Sequence, residues 1–261
     1  MDLHLSGKTA IVTGASKGIG QAVTQALVDA GAYVIAGSRS CGPKLGALEE
    51  AGKVTFVAAD LSTPDGADGL VAAAAEHGGV DVLVNNAGAV TVHPEGFASL
   101  TDDDWQASWD LNVMGVVRTT RAALPALYRR GGGSIVIVGS VNAYFPDPGI
   151  YDYCATKAAV TNIGKALSKE LGPKNIRVNS ISPGPVSTGM WLDDGGVADS
   201  IAGASGQTAE QVRTATAGTA ATGRLTTPQQ VADLIVFLAS DRAGNITGSD
   251  LRIDGGFVST L

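Results

Sequence analysis

The chain has 261 residues, a formal net charge of −7 and 35 glycines, about twice the usual share of ~7%. Hydrophobic residues make up 44% and charged residues 16%, so the chain can bury a large core and is not disordered; with only 10 prolines and no Gly-X-Y period it is not collagen-like. The acidic balance repels phosphate backbones and disfavours nucleic acid as a partner.

The opening residues, MDLHLSGKTA, are not expected to form a signal peptide, and no run of ~18 apolar residues predicts a membrane span. Cys41 and Cys154 have neither disulfide nor metal spacing and read as reduced thiols in a cytoplasm-like compartment. Short β-branched apolar runs at 9–13, 33–36, 54–58, 80–84, 134–138, 176–180 and 250–253 predict strands. Helical patterns at 19–30, 66–76, 102–130, 153–171 and 228–239 alternate with them. Thr101 before Asp102, Asp103 and Asp104 predicts a helix cap with an acidic first turn, and Thr227-Pro228 predicts another helix start. Alternating strands and helices predict α/β architecture: one domain over 1–261, with a doubly wound parallel sheet of about seven strands and helices on both faces. Residues 186–226 are rich in Gly, Ala, Ser and Thr and weakly patterned. They read as an irregular lid or substrate-loop insertion, because they follow the C-terminal end of a strand, where open α/β sheets bind ligands.

After the first strand the chain reads Gly14-Ala15-Ser16-Lys17-Gly18-Ile19-Gly20 and enters a helix. Gly14 would allow the tight turn, and Gly18 and Gly20 a close backbone approach to a pyrophosphate at the helix N-terminus, as in a Rossmann fold. An ordinary glycine-rich turn could share the spacing; the strand–turn–helix context favours a nucleotide. The second strand ends Ser38-Arg39-Ser40, with no acidic residue before Glu49. A carboxylate there would hold an adenosine ribose 2′-OH, whereas Arg39, with Lys17 from the glycine loop, suits a 2′-phosphate. NADP(H) is therefore expected, with NAD(H) as the alternative.

Tyr153 and Lys157, at i and i+4, share one helix face. A nearby ammonium is expected to lower the phenol pKa and make the pair an acid/base couple. Alone, such a pair is usually only helix surface. Here Ser140 ends a buried-type strand thirteen residues earlier, Asn85-Asn86-Ala87-Gly88 follows the fourth strand, Asn112 lies in the next helix, and Pro183-Gly184 follows the sixth strand.

Together with Thr13-Gly14-Ala15-Ser16-Lys17-Gly18-Ile19-Gly20, Asp60, and Thr188 five residues after Pro183, these motifs resemble the short-chain dehydrogenase/reductase family over essentially the whole chain. The resemblance implies that Tyr153 exchanges a proton with the substrate oxygen, while Lys157 binds the nicotinamide ribose. It implies that Ser140 holds the carbonyl oxygen and that Asn112 holds a water linking Lys157 to solvent. It also assigns cofactor contacts to Gly14, Ser16, Lys17, Gly18, Ile19, Gly20, Ser38, Arg39, Asp60, Leu61, Asn86, Ala87, Gly88, Pro183, Gly184, Val186 and Thr188. The expected activity is reversible NADPH-dependent reduction of a 3-oxoacyl or other small ketone to a secondary alcohol. The alternatives are an NAD-dependent alcohol, sugar or polyol dehydrogenase, and a non-catalytic nucleotide-binding protein. A homotetramer, or else a homodimer, is implied, formed by the helices at 102–130 and 153–171 and by the C-terminal strand. Of the remaining residues, His93 reads as a solvated loop residue rather than cleft lining. Trp191 reads equally as substrate wall or lid packing. Tyr144 and Phe145 are expected to face the pocket, Cys154 to pack, and Asn179 to tie structure together.

Overall fold

A computed structural model describes residues 2–260. Seven strands form one sheet: β1 Thr9–Thr13, β2 Tyr33–Ser38, β3 Val54–Ala58, β4 Val82–Asn85, β5 Gly133–Val138, β6 Ile176–Pro183 and β7 Asp250–Ile253. Their order is β3-β2-β1-β4-β5-β6-β7, and every pairing is parallel. The chain reverses direction across the sheet between β1 and β4, and ligands of such sheets bind at that reversal, outside the C-terminal strand ends.

The inner strands β1, β2, β4 and β5 carry apolar residues at successive positions because both faces are covered. On β1, Val12 faces one core with Val34, Val84 and Val136, closed by α1 (Gly18–Asp29) and α10 (Pro228–Ala239) through Leu27 and Ile235. Its neighbour Ile11 faces a second core with Ile35, Leu83 and Ile135. That side is closed by α3 (Asp68–Glu76), α5 (Gly115–Arg129) and α6 (Tyr151–Leu171) through Leu70, Leu127 and Val160.

Three helical features differ from the expectation. The pattern at 102–130 is not one helix: α4 (Asp102–Trp109) passes through a π-helical turn, Asp110–Met114, into α5. A short α2 (Pro43–Glu50), which buries Leu45 as its only fully buried residue, lies where no helix was expected. The segment at 186–226, expected to be an irregular lid, is also helical, with α7 (Gly189–Leu192), α8 (Val197–Ser205) and α9 (Ala209–Thr219). Its small core of Ala198, Ala202 and Val212 gives little apolar contrast to read, yet Thr208 and Gln211 form a reciprocal cap that starts α9. Among the described residues, no helix is long and apolar enough to cross a membrane.

Candidate active site

The C-terminal ends of β1, β4, β5 and β6 bring the expected residues to one edge of the sheet. At the glycine turn, Thr13 Oγ1 accepts hydrogen bonds from Asn86 N at 2.9 Å and Ala87 N at 3.0 Å. Asn86 Nδ2 donates to Thr13 O at 2.9 Å and Gly14 O at 3.3 Å. The Asn86 amide therefore holds the turn itself. Gly14 is left-handed, with φ +67°, and a side chain there would press on Asn86 and Ala87. A Cβ at Gly20 would collide with the Gly14 carbonyl, so Gly20 lets the helix start against the turn. Gly18, with φ +55°, faces the Thr188 side chain, which brings the lid's first residues over the loop. Ser16 and Ile19 are half-buried in this loop. No side chain caps α1, and its first turn holds no acidic residue, so its N–H groups and positive dipole end are left for an anion.

Beyond β2, Ser38 is buried and its hydroxyl donates to Ser40 O at 2.9 Å. Lys17 and Arg39 are exposed, and neither is ion-paired among the described residues. Asp60 accepts from the Ser62 hydroxyl at 2.7 Å and Ser62 N at 3.0 Å. Those bonds, helped by the Arg39 charge, hold its carboxyl below the usual range. Leu61 next to it is buried. Arg118 donates to Ser62 O at 2.8 Å and to Asp110 Oδ1 at 2.9 Å, tying this loop to the π-turn.

That π-turn carries Asn112, whose Oδ1 accepts from Ala89 N and whose Nδ2 donates to Ala89 O, each at 3.0 Å. Lys157 is buried and its Nζ donates to Val138 O at 2.8 Å. Gly88 separates the two: a Cβ there would lie 2.9 Å from Asn112 Oδ1 and 3.4 Å from Lys157 Nζ. Lys157 Nζ is 5.5 Å from the centre of the Tyr153 ring. Ser140, buried after β5, accepts from Asn142 N at 3.1 Å and donates to Asn142 Oδ1 at 3.0 Å.

The phenol behaves opposite to expectation. Tyr153 is half-buried, and burial among protein atoms pushes its pKa up to about 12, against the pull of the Ser140 hydroxyl. Burial also brings Lys157 down to about 8. The ammonium is turned to the Val138 carbonyl, and desolvation is the largest cause of both shifts.

Pro183 ends β6, and Gly184 makes room for Asp254, 2.7 Å from the position of its missing Cβ. Val186 bridges to Thr226, and Thr188 N donates to Val186 O at 2.7 Å, so both arms of the lid meet at its base. Trp191 packs on the lid core of Ala198, Ala202 and Val212. Tyr144 is exposed, while Phe145 meets Phe257 edge-on at 5.9 Å. Cys154 is buried, and its burial raises the thiol pKa. Asn179 bonds Ile246 O and Ser249 N, a structural tie as expected. His93 is not solvated: its side chain is 10% exposed and faces Asp152. Asn142, Arg118 and Asp152 escaped the sequence reading, since no spacing marks them.

A family model described as Enoyl-(Acyl carrier protein) reductase matches residues 14–258. The oxidoreductase UcpA of Escherichia coli is 38% identical over 265 residues, covering 98% of this chain and 96% of that protein. The 3-oxoacyl-acyl-carrier-protein reductase FabG of Thermotoga maritima is 34% identical over 261 residues, covering 98% of this chain and 100% of that protein. The crystal structure of L-sorbose reductase from Gluconobacter frateurii, complexed with NADPH and L-sorbose, matches with a TM-score of 0.91 at 35% identity, covering 100% of both chains.

Proposed function

This chain belongs to the short-chain dehydrogenase/reductase family of oxidoreductases, and from that premise we propose that it reduces a small ketone to a secondary alcohol, reversibly, with NADP(H). The observation that carries the reading is a chain of neighbours: Asn112 and Lys157 meet at the bare backbone of Gly88, Lys157 Nζ lies 5.5 Å from the Tyr153 ring centre, and the Ser140 hydroxyl faces the Tyr153 phenol. A nucleotide-binding protein without catalysis needs no such proton-handling group.

The chain fits the cofactor it implies. The uncapped start of α1, with Gly14, Ser16, Gly18, Ile19 and Gly20, would hold the pyrophosphate. Lys17 and Arg39, without an ion-pair partner among the described residues, would take a 2′-phosphate beside Ser38, and Asp60 and Leu61 would border the adenine. Asn86, Ala87 and Gly88 would line the adenosine side and the floor. Tyr153 and Lys157 would meet the nicotinamide ribose, and Pro183, Gly184, Val186 and Thr188 would form the opposite wall. When bound, the cofactor supplies a hydride to the carbonyl carbon.

The chain's own residues handle the oxygen and the proton. Ser140, by leaving Asn142 Oδ1, donates a hydrogen bond to the carbonyl oxygen as charge develops there. Tyr153, with a pKa near 12, holds its proton at neutral pH and gives it to that oxygen. Lys157, at about 8, is mostly charged at neutral pH and stabilises the phenolate left behind. A water held at Asn112 would return the proton from solvent. NADPH in the related sorbose reductase and the ketone chemistry named for both reductases support this reading.

A ketone and alcohol panel with NADPH/NADP and NADH/NAD tests the activity. Tyr153→Phe should abolish turnover while NADPH affinity stays near normal; retained turnover would overturn the assignment. Self-association through α4, α5, α6 and the edge strand β7 is part of the proposal. Trp109 and Tyr128, each 40% exposed on those helices, supply apolar surface for it. Solution mass measurement distinguishes tetramer, dimer and monomer.

A further inference from the structure

Residues 86–96 form neither helix nor strand, yet they border the catalytic edge between β4 and α4. Three contacts fasten this loop and the residues after it to the neighbourhood of Tyr153. His93 N donates to Gly149 O at 2.7 Å, in the segment joining Ser140 to α6. Just past the loop, Phe97 meets Tyr151 of α6 edge-on at 5.4 Å. The third contact is polar: His93 Nε2 lies 3.6 Å from Asp152 Oδ1, with side-chain exposures of 10% and 4%. Asp152 is the residue immediately before Tyr153.

Both facing atoms are sealed from solvent and have no other hydrogen-bond partner. Leaving two such atoms unpaired carries a desolvation cost, and 3.6 Å leaves no space for a water between them. A shift of roughly 0.7–0.9 Å brings the pair to the 2.7–2.9 Å of a charge-assisted bond. The Nε2–H tautomer or the imidazolium supplies the proton, and the carboxylate accepts it. The N-terminal turn of α6 favours the negative charge of Asp152. We infer that His93 is a positioning residue: bonded to Asp152, it holds the loop after β4 against the turn that carries Tyr153 and so fixes the substrate-side wall of the cleft. The inference rests on the reductase reading for its assay. The His93 and Asp152 side chains are not themselves among the groups assigned to cofactor binding or proton transfer.

The test compares His93→Ala, Asp152→Ala, the double variant, His93→Gln and Tyr153→Phe, using the best ketone from the panel. His93→Ala should raise KM for the ketone about tenfold, equivalent to ~1.4 kcal/mol, with kcat within about threefold and NADPH Kd within about twofold. Asp152→Ala should match it, and the double variant should show about tenfold in total rather than about a hundredfold, because one shared contact is removed. His93→Gln keeps an N–H donor toward Asp152 and should recover KM to within about threefold. An unchanged KM in His93→Ala, multiplied losses in the double variant, or NADPH Kd rising in step with KM would overturn the positioning role. Should His93→Ala fail to fold, His93→Gln against Asp152→Ala decides: equal KM values overturn the role. Retained turnover in Tyr153→Phe would instead overturn the reductase reading itself.

Discussion

Gly88→Ala adds one methyl group between Asn112 and Lys157. The new Cβ would sit 2.9 Å from Asn112 Oδ1, well inside contact distance, and 3.4 Å from Lys157 Nζ. Gly88 is not left-handed, so the substitution adds no backbone strain and the effect is steric. Asn112 cannot yield freely: it is buried, bonded to Ala89 N and O at 3.0 Å each, and within 3.3 Å of Ser108 Oγ. Releasing the two Ala89 bonds at ~0.5–1.5 kcal/mol apiece costs roughly 1–3 kcal/mol. At ~2–4 °C per kcal/mol for a chain of this size, Tm should fall by about 2–12 °C. A shift of Asn112 or Lys157 by even part of an ångström should lower kcat by about tenfold or more. Thermal unfolding and steady-state kinetics read both effects. Asn112→Ala removes the obstructing oxygen, so adding Gly88→Ala to it should cost little further stability. Full additivity of the two substitutions, or a wild-type Tm for Gly88→Ala, would refute the steric account.

The other predictions address cofactor choice, ionisation and the lid. Arg39→Ala should weaken NADPH binding by roughly 10–100-fold and NADH little, by fluorescence titration; equal losses would refute the 2′-phosphate assignment. Burial lowers Lys157 from 10.5 to about 8, so between those pH values the unfolded chain binds more protons and this group makes stability rise with pH. Tyr153, raised from 10.0 to about 12, acts in the opposite sense, and stability falls as pH rises from about 10. In urea melts, wild type should therefore gain stability relative to Lys157→Met between pH 7 and 9.5; parallel curves would show that Lys157 is not desolvated. Thr208→Ala removes a cap in which Thr208 Oγ1 accepts from Gln211 N at 3.2 Å and Thr208 N donates to Gln211 Oε1 at 2.8 Å. It should cost ~1 kcal/mol and speed hydrogen exchange across α9 by about fivefold, with unchanged exchange counting against the cap.

What could be read from residue order was decided by strong local contrast. Thr9–Thr13, Val54–Ala58, Asp250–Ile253 and Pro228–Ala239 fall where apolar runs and a Thr-Pro start place them. The helices at 186–226 and α2 did not show, because Ala198, Ala202 and Val212 form the small core of the former and Leu45 alone is fully buried in the latter, so neither carries a clear apolar stripe. The π-turn did not show either, since one extra residue in a turn leaves the hydrophobic pattern on both sides intact. The glycines make the same point at atomic scale. Gly14 serves the turn as its spacing predicts, but Gly20 also makes room for the Gly14 carbonyl and Asn86, Gly88 for Asn112 and Lys157, and Gly184 for Asp254. Spacing shows that a side chain is missing, whereas only the fold shows which atom fills its place. Tyr153 and Lys157 extend this from space to charge. Their i, i+4 spacing put them on one helix face, but the sign of the phenol shift belongs to desolvation, which the strands and loops around the helix impose.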